Sequence, residues 1–269
     1  MRKAPVASGH FRKKEMRDAT RRNRNIGTVK QGHGQSNKLT MAKPCGTQKS
    51  FYERLDKYTK TKKIINGYEF IFIVEQLRET SKHSCSIEDI ATIIEQIPKT
   101  DYGELQFIVL RQPKRKEETL SPTWGRLIYS YEFEDEYFPA VIIDSIDYTK
   151  RFKWTTKLST DDQQELDRLK SDGHEIINDG KHFIAEYKQE NVRNTQLYRT
   201  LPHEFGHYVH FLNTVERPST EDEDIEEYEK RQDFYFNIPS VEKEKFAHNY
   251  AEKLMTELKN RDIIPFEKK

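Results

Sequence analysis

Apolar side chains recur in short, regularly spaced groups from about Phe51 onward, and their spacing predicts a chain of mixed helices and strands. FYERLDKYTKTKK, at 51–63, is polar at most positions and reads as a polar helix or as an extension of the segment before it. GYEFIFIVEQLRET is an apolar run that suits either a strand or a buried helix. SIEDIATIIEQI is more specific: Ser86 is placed to cap a helix with acidic residues in its first turn, and Ile87, Ile90, Ile93 and Ile94 follow at helical spacing, so a helix is expected to about Ile97. Two runs rich in β-branched and aromatic residues, ELQFIVLRQP and GRLIYSYEFEDEYFPAVIIDSI, are predicted strands separated by the polar loop KRKEETLSPTW. Thr160 opens a further helix, TDDQQELDRLKSDG, with Gln163 completing a capping box and Gly173 as its stop. HEIINDGKHFIAEY then reads as a hairpin turning at Asp179 and Gly180. The pattern predicts an α+β fold with a mixed or antiparallel sheet and contains no internal repeat.

Composition adds an asymmetry. Residues 1–44 hold 12 Lys or Arg against Glu15 and Asp18, a surplus of ten positive charges, while the rest of the 269-residue chain holds 34 basic and 43 acidic residues. The arm is also rich in Gly, Gln, Ser and Asn, a composition that buries too little surface to offset chain entropy, so it is expected to be disordered. Three readings stand for it: contact with nucleic acid through phosphate neutralisation, a targeting peptide, or translation from a start upstream of Met41. The expected organisation is an arm and linker at 1–48, an α+β region of unassigned role at 49–158, and a catalytic region at 159–269. No stretch approaches the roughly 18 consecutive apolar residues of a membrane span, and the N-terminus lacks the apolar centre of a secretory signal. A cytoplasmic protein without membrane contact is expected. Cys45 and Cys85 form neither a disulfide framework nor a Cys-x-x-Cys pair.

The chemistry is concentrated in RTLPHEFGHYVHFLN, at 199–213, which contains His203-Glu204-x-x-His207. On a helix, histidines four positions apart share a face and can present imidazole nitrogens to one zinc ion. Glu204, about 100° around the helix from His203, is turned to reach a metal-activated water as general base. Leu201, Phe205, Tyr208 and Leu212 line the opposite side, with Val209 and Phe211 widening it, which predicts a buried helix; Thr200 is expected to cap its start, with Pro202 in the first turn. A catalytic zinc needs a third protein ligand. His210 shares the face but lies about 10.5 Å along the axis from His203, too far for the same ion. Glu244 is the stronger candidate: it extends the apolar stripe of Ala247, Ala251, Leu254 and Leu258, and those small alanines would let its helix approach the first closely. His248, one turn on, is either a residue that orients a ligand or the water, or a surface histidine.

RTLPHEFGHYVHF followed by EKFAHNYAEKL resembles the gluzincin-type site of the ImmA/IrrE family of metallopeptidases, over roughly residues 175–260. On that resemblance Glu244 matches the ligand glutamate and Tyr250 with Ala251 the aromatic-Ala pair, while His248 stands where the family commonly has Asn. The resemblance implies a zincin-like endopeptidase fold with one Zn(2+) per chain, acting on a protein or peptide substrate that is often a regulatory protein. Between the two motifs, residues 216–229 carry eight acidic side chains, read as a solvated loop that would favour basic substrates if it flanks the cleft. An oxyanion donor is sought among Tyr198, Tyr208, Tyr250, His174, His182 and His248. The alternative to a peptidase is a nucleic-acid-associated or partner-binding regulatory protein that works through the basic arm and keeps a structural or inactive metal site.

Overall fold

The computed structural model describes residues 52–120, 123–219 and 223–269. The basic arm, Cys45 and residues 220–222 of the acidic run lie outside the described residues. The fold is α+β, built on a five-stranded mixed sheet in the order β1-β2-β4-β6-β5. These strands are β1 (Tyr58–Ile65), β2 (Tyr68–Glu75), β4 (Phe107–Arg111), β5 (Gly125–Phe133) and β6 (Glu136–Asp144). β2, β4 and β6 run parallel, with Ile71 opposite Phe107 and Phe107 opposite Ala140, and β1 is antiparallel to β2. The three parallel strands are nearly continuous apolar runs because both faces of the sheet centre are covered. GYEFIFIVEQLRET is therefore a strand.

Two smaller sheets complete the β structure. β3 (Ser81–Lys82) pairs with β7 (Ile146–Asp147), and β8 (Arg151–Thr155), β10 (His182–Glu186) and β9 (Ile176–Asn178) form an antiparallel ribbon whose β9–β10 hairpin turns at Asp179 and Gly180. Leu55–Tyr131 and Phe138–Lys269 make up one compact unit; Glu132–Tyr137 groups with residues 52–54, where the Glu132 N–H donates to the Glu53 carboxylate.

Several local expectations change. The polar segment before Gly67 is not helical but the edge strand β1, because Thr59, Thr61 and three lysines alternate along a strand whose side chains nearly all face solvent. Helix α1 (Ile87–Ile94) carries the Ser86 capping box, with Asp89 answering Ser86, and ends three residues short of Ile97. The polar loop after β4 contains a short helix, α2 (Arg115–Leu120). Helix α3 (Thr160–Ser171) is capped one residue earlier than expected: Ser159 Oγ accepts the Asp162 N–H, and the Asp162 carboxylate accepts the Ser159 N–H. It stops at Gly173, whose positive φ lets the Gly173 and His174 N–H groups close on the carbonyls of Lys170 and Leu169.

The largest correction concerns the histidine helix. It does not start at Thr200, which is helical and makes no side-chain cap, but continues from α4 (Gln189–Thr195) through a π turn at Gln196–Thr200 into α5 (Leu201–Phe211) and a second π turn at Leu212–Glu216. Pro202 explains the first π turn. A proline inside an α-helix clashes with the carbonyl four residues back and lacks the N–H that would bond it, and widening the turn before it removes the conflict. The acidic run also changes character at Ile225, where Asp224 caps α6 (Ile225–Asn237) and Glu226 and Glu227 occupy its first turn. Helix α7 (Ser240–Asn260) buries Ala247, Ala251, Leu254, Met255 and Leu258 along the expected stripe.

One core joins these elements and runs through both the 49–158 and the 159–269 regions. Phe70, Phe72, Ile108, Leu110, Val141 and Ile143 from alternate positions of the central strands meet Ile90, Ile93 and Ile94 of α1, Leu201, Phe205 and Tyr208 of α5, and Leu254 and Leu258 of α7. The histidine helix is thus laid on the face of the sheet, with its polar side turned to α7. Among the described residues no helix is long and apolar enough to cross a membrane.

Candidate metal centre

Burying the Leu201-Phe205-Tyr208-Leu212 side of α5 in the core turns His203 and His207 outward along the opposite side. Their Nε2 atoms stand 3.0 Å apart. Across from them the Glu244 carboxylate lies 3.2 Å from His203 Nε2 and 3.4 Å from His207 Nε2. Donor atoms of all three residues fall within 4.8 Å of one another. The histidine side chains are 13% and 14% exposed and Glu244 is 53% exposed, so the α7 donor is the wetter of the three. Hydrogen bonds from the two histidines hold the Glu244 carboxyl well below the usual carboxylate range.

Gly206 makes this approach of the helices possible. A Cβ built on it would lie 2.8 Å from Ala247 Cα, 2.9 Å from the Ala247 carbonyl oxygen and 3.2 Å from Tyr250 Cβ. Glycine on α5 and alanine on α7 therefore meet at the crossing, with Gly206 next to His207 and Ala247 three residues from Glu244. The alanines on α7 were recognisable from their stripe; Gly206 was the missing half, visible as the glycine inside His-Glu-Phe-Gly-His. Replacing Gly206 by Ala is expected to push the helices apart, cost about 1–3 kcal/mol and weaken zinc binding with it, because Glu244 travels with α7. Thermal denaturation of the metal-free chain and a zinc titration check both effects; wild-type values in both would show that the two backbones do not touch there.

Glu204 points elsewhere. It is 9% exposed, and the backbone N–H of Leu127 on β5 is among the groups near its carboxylate. Burial pushes its carboxyl up from the ordinary value, while the nearby His203 and His207 oppose the shift and Glu244 adds to it. The result is a buried carboxylate beside the donor cluster.

The remaining histidine of the helix, His210, is not part of the cluster and stacks on Phe246 of α7 with ring centroids 4.4 Å apart. The proposed oxyanion donors are mostly committed to other partners. Tyr208 is buried, and its hydroxyl accepts the Glu104 N–H at 2.7 Å. Tyr250 donates to Asp101 at 3.0 Å, pinning α7 to the turn at Lys99–Asp101, and Tyr198 bonds the Phe266 backbone. His174 pairs with Thr195 at 3.0 Å, and His182 sits on the ribbon beside Asp179. Tyr208 is thus engaged as an acceptor and Tyr250 as a donor away from the three-residue cluster. His248 stays near the cluster, its ring centroid 4.4 Å from that of His203. Burial, with His203 and Arg168 nearby, pushes its imidazole down to about 4, so it is neutral at pH 7.

Two tyrosines went unnoticed in the sequence. Tyr235 of α6 donates to the His207 carbonyl at 3.2 Å and shares a 2.7 Å hydrogen bond with Tyr129 of β5, tying the histidine turn to both elements. Burial pushes Tyr235 up to about 12, so its proton stays in place at neutral pH. Their signal was weak, since an aromatic on a strand or helix ordinarily only packs. The acidic run is partly neutralised: Arg231 and Ser219 hold Glu223, pushing its carboxyl down to about 2, and Tyr228 donates to Glu216 at 2.6 Å.

No family model, no curated protein and no solved structure matches the chain.

Proposed function

We propose that the chain is a zinc-dependent peptidase that hydrolyses peptide bonds with Glu204 as general base. The observation that carries this reading is the convergence of His203, His207 and Glu244 within 4.8 Å, with a buried carboxylate from the same helix turn beside them. The donor set fits the ion. Imidazole and carboxylate at roughly 2.0–2.2 Å in a tetrahedral site stand about 3.3 Å from one another, and the separations here are 3.0, 3.2 and 3.4 Å. Two imidazoles with one carboxylate is a composition that suits zinc and leaves a fourth position for substrate or water. The resemblance of the two helices to the ImmA/IrrE metallopeptidases supports the same reading.

When bound, zinc would lower the pKa of water and polarise the scissile carbonyl. The chain's own residues do the rest. Glu204 accepts a proton at a carboxylate oxygen as the water oxygen forms its bond to the carbonyl carbon. It returns that proton to the leaving nitrogen as the carbon–nitrogen bond breaks. Burial helps the second half by raising the proton affinity of the carboxylate.

The substrate on this reading is a protein or peptide. Cleavage of an unstructured protein by the full chain should be abolished by a strong zinc chelator and restored by stoichiometric zinc. Cleavage that survives complete metal removal would refute the reading.

A further inference from the structure

Helix α7 carries a second metal-competent side chain on the side that holds Glu244. His248 follows Glu244 by four residues, as His207 follows His203, so each helix offers an i, i+4 pair toward the other. The pairs oppose each other across the Gly206–Ala247 crossing, where close backbone contact fixes the helix separation. His248 Nε2 lies 4.0 Å from Glu244 Oε2, against the 3.0–3.4 Å that separates the other donors. It stands just outside the three-residue cluster. Its side chain is 36% exposed, which leaves the ring room to turn toward the cluster or out to solvent. His203 and His207, more enclosed on a helix tied to the core, lack that freedom.

We infer that His248 is a displaceable fourth protein ligand of the site. With its nitrogen in the set, the site has four protein donors and is closed, as in a structural zinc site; with the ring turned out, three donors and an open position remain, as catalysis requires. The inference rests on the peptidase reading and supplies that reading with a restraint. The resting site is capped by the chain's own imidazole, and activity requires substrate to take its place.

The test needs no substrate. The full chain is loaded with stoichiometric zinc, and the imidazoles around the ion are counted by X-ray absorption spectroscopy in wild type, His248→Ala and His248→Asn. The expected result is scattering from His203, His207 and His248 in wild type and the loss of one imidazole in both variants. Zinc affinity should fall roughly tenfold or more in each, with thermal melting of the metal-free proteins unchanged. An equal imidazole count and equal zinc affinity in wild type and variants would overturn the inference and leave the peptidase reading standing. Wild-type affinity in His248→Asn would also overturn it, since Asn can replace a positioning hydrogen bond but not an imidazole. A wild-type chain that takes up no zinc would overturn both readings together.

Discussion

Glu204→Gln lowers peptide hydrolysis by a factor of roughly 10² to 10⁴ while zinc remains bound stoichiometrically. The amide keeps the size of the carboxylate, and the helix is held by its buried face, so its histidines stay in place. What disappears is the group that takes the proton from water and returns it to the leaving nitrogen. Stability should hold or rise slightly, because a buried ionisable group becomes neutral. Steady-state cleavage rates beside zinc analysis of the same preparations make the comparison. Loss of zinc together with activity would mean that Glu204 supports the site structurally. Undiminished cleavage would remove it from the chemistry. If the wild type itself cleaves nothing but holds zinc, the regulatory-protein alternative gains, and binding of nucleic acid with and without residues 1–44 becomes the next comparison.

Asp89→Ala destabilises the fold by about 3–5 kcal/mol, the second large effect. Asp89 is fully buried and pairs with Arg193, whose side chain is 8% exposed, through contacts of 3.0 and 3.3 Å. It also accepts the N–H groups of Ser86 and Lys269 at 3.0 Å each. Removing the carboxylate strands a buried guanidinium whose remaining partners, Tyr198 and the Phe266 carbonyl, carry no charge to balance it. Arg193 lies on α4, which continues into the histidine helix, so the loss reaches the metal centre through the helix that carries it. Melting of the metal-free variant should drop on the order of 10 °C. The effect has a definite pH dependence. Burial pushes the Asp89 carboxyl up, but the hydrogen bonds from Arg193, Ser86 and Lys269 prevail and hold it below its ordinary value. Its contribution is therefore complete above the unfolded value near 4 and fades as pH falls through the lower folded value. Melting curves for wild type and variant should converge in acid and stay apart at neutral pH; a constant gap would show that the ion pair is not the cause.

The parts of the site that could be read from the sequence were those in which chemistry and periodicity coincide. His203, Glu204 and His207 are spaced by a single helix turn, and Glu244 continues an apolar stripe, so local geometry alone puts each on a definite face. Ser86 and Gly173 were readable for the same reason, since a cap and a stop act within one turn. β1 was not readable because an exposed edge strand shows no hydrophobic alternation. The start of the histidine helix was hidden by Pro202, which signals a helix beginning unless a π turn precedes it. α6 was masked by its acidic composition, although Asp224, Glu226 and Glu227 are the residues that favour a helix N-terminus. Leu127, Tyr129 and Tyr235 reach the site by tertiary contact, and no local pattern marks a backbone N–H that will lie near a glutamate many residues away.

The central claim is that His203, His207 and Glu244 bind one ion between two helices. Zinc per chain should be measured in wild type, His203→Ala and Glu244→Ala, all purified without added metal and then titrated. The expected result is stoichiometric zinc in wild type and marked loss in both variants, with folding retained. A wild-type chain that carries no zinc and takes up none on titration would contradict the claim.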